Sequence, residues 1–164
     1  LGIEFVEDVG MANRLEHPLA QLIQFTSMML SGMFDEYPRL KVAYLEADTG
    51  WAPYMADRLA GRVKPGMTEP LDVIRSGRIF FSSEGDDPGL PYAIERFGDD
   101  ALIYASDYPH EPRPRIIEEL REAIERPDVS EESKQKIYWE NPRRLYRWDI
   151  ANTLPREDAS LLTR

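Results

Sequence analysis

Residues 101–110 read Ala-Leu-Ile-Tyr-Ala-Ser-Asp-Tyr-Pro-His, a hydrophobic run that ends in an acid and a turn. The uninterrupted run Ala101–Ala105 is typical of a strand buried on both faces of a parallel sheet. Asp107 follows it almost at once, and Pro109 then turns the chain, because proline fixes φ and lacks a backbone N–H. The pattern predicts a carboxylate at the carboxyl end of a buried strand, with the imidazole of His110 within reach of the same edge.

Two earlier hydrophobic runs have the same form, Val42–Leu45 and Ile79–Phe81. Segments with helical periodicity lie between the three runs and on either side of them. Apolar residues are spaced three and four apart in Leu19–Met33 and Ile116–Ile124. Strands that alternate with helices at this spacing indicate βαβ units. The sequence therefore predicts an α/β fold with a parallel sheet.

The two ends of the chain are less regular. Ser130–Trp148 predicts two short helices, with Ser130 as the N-cap of the first and Asn141 capping the second ahead of Pro142. The N-terminal residues show no clear strand, although Ile3–Val6 could form one. Three parallel strands alone would leave two exposed sheet edges, which natural proteins normally cover.

Composition excludes several classes of protein. The 164 residues suffice for one domain with its own core. A net charge of -10 argues against binding to nucleic acid or to an anionic membrane, since both need a basic surface. The absence of cysteine excludes disulfides, thiolate metal sites and cysteine nucleophiles. No apolar stretch approaches the roughly 20 residues of a membrane span, so we expect a soluble, cytoplasmic protein.

Acidic residues follow all three runs, where the carboxyl ends of parallel strands meet and where such folds place their chemistry. These residues are Glu46, Asp48, Glu84, Asp86, Asp87 and Asp107. Converging carboxylates suit a divalent cation, and crowded acids raise one another's pKa and so suit proton transfer. Taken singly, however, acidic loop residues of so acidic a protein are more often solvated. Asp107 is the strongest candidate, because the turn at Pro109 holds it at the mouth of the sheet.

Two other residues stand out, but with weaker signals. His17 precedes Pro18 at the predicted start of a helix, where a structural role is favoured over metal binding. Trp51 is predicted to pack at the rim, which is the edge of the sheet where the strands end, and to shape a pocket or an interface. No dinucleotide-binding glycine pattern, P-loop, serine-hydrolase elbow or zinc-protease motif is present.

A family pattern runs through five segments: Glu36–Glu46, Gly50–Tyr54, Ile79–Glu84, Ile103–His110 and Glu140–Tyr146. In that order they resemble the sixth strand, the loop after it, the seventh strand, the eighth strand and the closing helix of amidohydrolase-related proteins. This branch contains aminocarboxymuconate-semialdehyde decarboxylase and related metal-dependent hydrolases. The Ser-Asp-Tyr-Pro-His element is the most specific part of the resemblance.

The resemblance implies that residues 1–148 form the C-terminal portion, about strands six to eight with their helices, of a (β/α)₈ TIM barrel. Residues 149–164 would form a C-terminal extension. It also implies a divalent metal, commonly zinc, and hydrolysis or non-oxidative decarboxylation of a small carboxylic acid. In this pattern Asp107 binds the metal or moves the proton, and His110 is a second catalytic candidate. The residues expected to contact substrate or support the site are Glu46, Glu84 and Trp51.

Two departures from the family pattern keep other hypotheses open. Glu46 stands where the decarboxylases have histidine, and a complete barrel needs about 250 residues. The metal-binding histidines of the first and fifth strands have no counterpart here, so the remaining ligands and strands would come from elsewhere in the protein or from a partner chain. The alternatives are a non-catalytic half-barrel that self-associates as a homo-oligomer, or a small α/β binding domain unrelated to barrels.

Overall fold

The structure is a computed structural model that describes residues 8–147. The possible strand Ile3–Val6, Trp148 and the extension predicted at 149–164 lie outside the described residues. Within residues 8–147, no helix has the length and hydrophobicity of a bilayer span.

A parallel sheet forms the centre of the fold. Its strands are β1 (Val42–Tyr44), β2 (Ile79–Ser83) and β3 (Leu102–Tyr104), in the spatial order β1-β2-β3. Both pairs are parallel, with Tyr44 opposite Phe81 and Phe81 opposite Leu102. The predicted strands and their parallel arrangement are confirmed, which argues against the unrelated binding domain.

Helices connect and flank the strands. The α-helices are α1 (Val9–Ser31), α2 (Met33–Glu36), α3 (Trp51–Leu59), α4 (Pro70–Val73), α5 (Leu90–Phe97), α6 (Arg113–Glu125), α7 (Glu131–Gln135) and α8 (Asn141–Tyr146). Wider π turns follow α4 (Ile74–Arg78) and α7 (Lys136–Glu140), and a 3₁₀ turn (Asp99–Ala101) leads into β3.

Helix α1 starts well before the predicted position. It begins at Val9, capped by Asp8, whose carboxylate accepts a hydrogen bond from the backbone N–H of Met11 at 2.9 Å. Pro18 lies inside the helix and removes only the N–H that would bond the carbonyl of Arg14, so the helix continues through it. The prediction that His17 starts the helix is therefore wrong, and His17 lies in its interior.

Of the two N-caps predicted for the C-terminal helices, one forms and the other does not. Ser130 caps α7 by accepting from the backbone N–H of Ser133 at 3.1 Å, as predicted. Asn141 does not cap α8: its side-chain amide donates to the carbonyl oxygens of Asp99 and Leu102, both at 2.7 Å. The backbone angles of Asn141 are themselves helical, so helical backbone runs from α7 through the π turn into α8 without a break and leaves no capping position at Asn141.

Aromatic rings form the centre of the core on one face of the sheet. Phe81 of β2 contacts Phe25, Tyr44, Trp51 and Phe97, with ring centroids 5.4–6.2 Å apart. Most of these rings meet edge to face or tilted, arrangements that add to the free energy gained by burying them. The core therefore joins α1, α3 and α5 to β1 and β2.

A buried acid joins the loops after β1 and β2. Asp87 is 1% exposed and accepts hydrogen bonds from the backbone N–H and the hydroxyl of Thr49 at 2.9 and 2.7 Å, and from the N–H of Gly89 at 2.7 Å. The loops approach so closely that a Cβ on Gly89 would lie 2.6 Å from the Cα of Gly50. The expectation that Asp87 is solvated is wrong, because three donors of the two loops point at its carboxylate.

Candidate functional site

The acids that follow the strands share the carboxyl edge of the parallel sheet. Glu46 and Asp48 follow β1, Glu84 follows β2, and Asp107 follows β3. This is the edge where parallel α/β folds place their chemistry, because the loops after neighbouring strands converge there.

Three of these acids have a left-handed backbone. The φ angle is 64° at Glu46, 51° at Asp48 and 53° at Asp107. The left-handed conformation costs most L-residues about 1–2 kcal/mol, and aspartate less, because its short side chain can hydrogen-bond locally. Such strained positions cluster at functional sites. Their concentration at one edge of the sheet indicates that the carboxylates are aimed at the expense of stability.

We expect Asp48→Gly to leave the free energy of unfolding at or above that of the native chain, because glycine adopts φ 51° without strain. Asp86→Gly is the matched control: Asp86 also raises the pKa of Glu84, but its φ is not positive. That control should cost about 0.5–1 kcal/mol, since glycine increases the entropy of the unfolded chain. Urea unfolding of both variants measures the difference. Equal destabilisation would show that the left-handed backbone at Asp48 carries no strain.

A cavity of about 570 Å³ opens at this edge. Glu46, Asp48 and Glu84 line it from the strand ends, and Arg14 and His17 line it from the first turns of α1. Its volume lies in the range of small-molecule sites. The structure therefore brings two of the predicted site residues, Glu46 and Glu84, to one cavity together with Asp48.

His17 belongs to this cavity, although its sequence position favoured a structural role. Its Nδ1 atom lies 3.9 Å from Oε2 of Glu46, and both side chains are about half exposed. Arg14, on the same helix, also lines the cavity. The signal that could have placed both residues is Asp8, a typical N-cap, which starts α1 early enough for its first turns to reach the strand ends.

Partial burial, together with the charges of neighbouring acids, raises the pKa of two carboxyls at the rim. Partial burial raises the pKa of Glu84 above its usual range, and the charges of Asp48, Glu119, Asp86 and Asp107 raise it further. Partial burial likewise raises the pKa of Asp48, with the charges of nearby acids adding to the effect. Carboxyls with raised pKa values hold protons more readily near neutral pH, as acid catalysts need to.

These shifts predict how Glu84 affects stability. Because its pKa is raised in the folded state, the free energy of unfolding increases as pH falls through that raised pKa, and the gain is complete below the unfolded value of about 4.5. Glu84→Gln should therefore raise Tm at pH 7, by on the order of 1 °C given solvent screening. The difference from the native chain should vanish below pH 4.

Calorimetry across pH 3–8 measures this effect, with Glu125→Gln on the outer face of α6 as a variant of equal charge change. A Glu84→Gln curve parallel to the native curve at all pH values would contradict the raised pKa of Glu84 in the folded state.

Asp107 and His110 lie beside the cavity rather than in its wall. Nδ1 of His110 is 3.6 Å from Oδ2 of Asp107, and the backbone N–H of His110 donates to the Asp107 carbonyl at 2.8 Å. The Asp107 side chain is 35% exposed and that of His110 is 88% exposed. The charge of Asp107 contributes to the raised pKa of Glu84, so its carboxylate lies close to the same group of acids.

Trp51 packs in the core. Its ring meets those of Phe25, Tyr44 and Phe81 edge to face, at centroid distances of 5.4–5.6 Å. Among the described residues, Trp51 does not line the cavity. Its role in supporting the site therefore stays a prediction, and any such support would come from its packing in the core.

The described residues do not form a complete metal site. Within residues 8–147, no three histidine or acidic side chains lie close enough together to hold a metal ion. Structural and catalytic zinc sites use at least three protein ligands. Asp107 can offer one carboxylate, and a metal at this rim would need further ligands.

A comparison with protein families identifies a match over residues 14–148 to the family described as amidohydrolase. No curated protein matches the chain. Solved structures do match, and the three described next are considerably longer than this chain.

One is an amidohydrolase from Mycobacterium avium subsp. paratuberculosis, at 22% identity and a TM-score of 0.67, covering 85% of this chain and 36% of that one. A second is a dihydroxybenzoic acid decarboxylase from Polaromonas sp. JS666 with bound manganese and 2-nitroresorcinol, at 23% identity and a TM-score of 0.61, covering 79% and 40%. A third is 5-carboxyvanillate decarboxylase from Sphingomonas paucimobilis, at 26% identity and a TM-score of 0.55, covering 74% and 38%.

The chain thus spans about two fifths of the length of the structures it matches. Its three-stranded parallel sheet and flanking helices have the fold of part of an amidohydrolase TIM barrel. Since the family match covers most of its residues, the chain belongs to the amidohydrolase family.

Proposed function

We propose that this chain forms strands six to eight of a (β/α)₈ barrel and carries part of the site of a metal-dependent hydrolase or non-oxidative decarboxylase. The proposed substrate is a small carboxylic acid. The main support is the group of strained acids at the carboxyl edge of the sheet, beside a cavity of suitable size. Matched structures that are named as decarboxylases of aromatic acids add support.

In this proposal the acids at the rim supply and transfer the proton that the reaction needs. Decarboxylation breaks a C–C bond, CO₂ leaves, and the bonding electron pair remains on carbon, which then takes up a proton. Glu84 is the proposed donor, because its raised pKa favours the protonated form. Asp107 is the proposed metal ligand or proton carrier of the eighth strand, and His110 is proposed to assist it.

The metal in this proposal is a divalent cation. The resemblance favours zinc, whereas the Polaromonas decarboxylase contains manganese. Since residues 8–147 hold no complete ligand set, the remaining ligands would come from other strands of the barrel. The expected cytoplasmic location and the expected absence of nucleic-acid or membrane partners remain predictions from composition.

The test is to purify the tagged protein from the cells that produce it, so that any strands supplied by further sequence or by a partner are retained. Metal is measured by plasma mass spectrometry, and aromatic and aliphatic carboxylic acids are assayed for CO₂ release and for hydrolysis. We expect about one metal per chain in the assembly, and weak metal binding by residues 1–164 alone. Tight stoichiometric metal in the isolated chain would contradict the division of ligands.

A second candidate function is a non-catalytic half-barrel that self-associates. It is favoured by exposed apolar residues along one stripe of α6, where Ile117, Leu120 and Ile124 are 48%, 39% and 50% exposed. In the described sheet, β1 and β3 each pair with one neighbour only, which leaves an edge that another strand could extend.

Sedimentation of the chain separates these functions. A self-associating module should sediment at twice its mass of 19.0 kDa or more without any other protein. A well-folded monomer would count against self-association, and also against the need for further strands.

A further inference from the structure

The cavity has a side lined by two basic residues, and this side faces its acids. Arg14 and His17 lie about one turn apart on α1 and line the same cavity as Glu46, Asp48 and Glu84. His17 is directed at Glu46, with 3.9 Å between Nδ1 and Oε2. The first half of α1 therefore forms one wall of the site, and the strand ends form the other.

Because the cavity is acidic, binding of an anionic substrate requires a positive charge in its wall. Three carboxylates line it, and among its described lining residues Arg14 is the one lysine or arginine. An acid entering such a cavity meets repulsion from the rim unless cations compensate its charge, and besides the proposed metal the chain itself must supply a cation for the carboxylate that the metal does not hold. Arginine meets this need best, because its planar guanidinium donates two parallel hydrogen bonds to one carboxylate and stays charged at all relevant pH values.

We propose that Arg14 is the residue that recognises the substrate carboxylate in this site, so that the cavity selects small carboxylic acids over neutral molecules of the same shape. This inference rests on the proposed function for the identity of the substrate class. Arg14 is a specificity residue rather than a catalytic one: it holds the anion, while the acids at the strand ends face the rest of the molecule.

The experiment measures binding without turnover. Benzoate is the anionic probe and benzamide is its neutral counterpart, and both are titrated into the full chain at low ionic strength, because salt screens exposed ion pairs. Isothermal calorimetry gives the affinities, and ¹H–¹⁵N spectra show whether the signals of α1 and of the β1 end shift. The variants are Arg14→Gln, Arg14→Lys and, as a control of equal charge change, Arg62→Gln.

The native chain and Arg62→Gln should bind benzoate at least about tenfold more tightly than benzamide, as expected for a charge-assisted bidentate pair. Arg14→Gln should lose that preference, and Arg14→Lys should retain part of it. Unchanged benzoate binding by Arg14→Gln would overturn the proposal, and so would a native chain that binds both probes equally.

These outcomes are separable from the failure of the proposed function. If benzoate binds through Arg14 but the purified assembly turns over no carboxylic acid, the proposed reaction fails and the recognition site stands. If the assembly is active while Arg14→Gln keeps its preference for benzoate, the recognition site fails and the reaction stands.

Discussion

Replacing Asp87 by alanine should lower the free energy of unfolding by about 3–5 kcal/mol, because it leaves two buried donors and one partly buried donor without an acceptor. These donors are the backbone N–H and hydroxyl of Thr49 and the backbone N–H of Gly89, all within 2.9 Å of the Asp87 carboxylate. For a domain of this size the loss corresponds to a fall in Tm of about 10 °C or more. Urea and thermal unfolding measure both quantities.

Asp86→Ala is the matched control, since it removes the same group from the neighbouring, exposed position. It should cost less than about 0.5 kcal/mol. Asp87→Asn should fall between the two, because one amide oxygen can still accept from Thr49 while the amide nitrogen faces the N–H of Gly89. If Asp87→Ala and Asp86→Ala were equally stable, the hydrogen bonds of Asp87 would contribute nothing to the fold.

The position of Asp87 gives this variant a consequence for the site as well. Thr49 directly follows the strained Asp48, and Gly89 packs against Gly50. The carboxylate of Asp87 therefore holds the two loops that present Asp48 and Glu84 to the cavity. Loss of these bonds should disturb the geometry of the rim before the whole domain unfolds.

Asp107→Asn should reduce turnover by the assembled enzyme about 10²- to 10⁴-fold, the range that a positioned acid or base contributes. Asparagine keeps the volume of the side chain and tolerates the left-handed backbone at φ 53°, so the fold should persist. The substitution removes the negative charge and the capacity to carry a proton. Kinetics and metal content measured on the same preparation show whether the loss comes from chemistry or from metal binding.

Glu111→Gln serves as the control for Asp107→Asn, since it removes an exposed carboxylate from the same turn. It should leave turnover within about twofold of native, as surface substitutions away from a site usually do. Full activity in Asp107→Asn with native metal content would remove Asp107 from both of its proposed roles.

Much of the fold follows from local pattern. The hydrophobic runs at Val42–Leu45, Ile79–Phe81 and Ala101–Ala105 each form a strand, and the helical periodicity between them implies parallel pairing. Burial on both faces demands continuous apolar residues, and this demand is visible in a single sequence. The Ser130 cap is equally local, because its partner lies three residues away.

The acids that follow the strands could be predicted only in part from local pattern. Their place at the carboxyl edge follows from strand order, so Glu46, Glu84 and Asp107 were expected there. The left-handed backbone of Glu46 and Asp107 was not expected, because it depends on how the loops pack after the strands.

By itself, the sequence determined the strands, their parallel order and the acidic edge, since each depends on neighbouring residues or on a repeating pattern. Only the tertiary structure decided that Asp87 is buried, that Asn141 donates to β3 and that Arg14 and His17 face the cavity. The contacts of Asp87 with Thr49 and of Asn141 with Leu102 join residues 38 and 39 positions apart. Such contacts are set by packing between elements, because a polar side chain in a loop or on a helix takes whichever partner the assembled fold brings within about 3 Å.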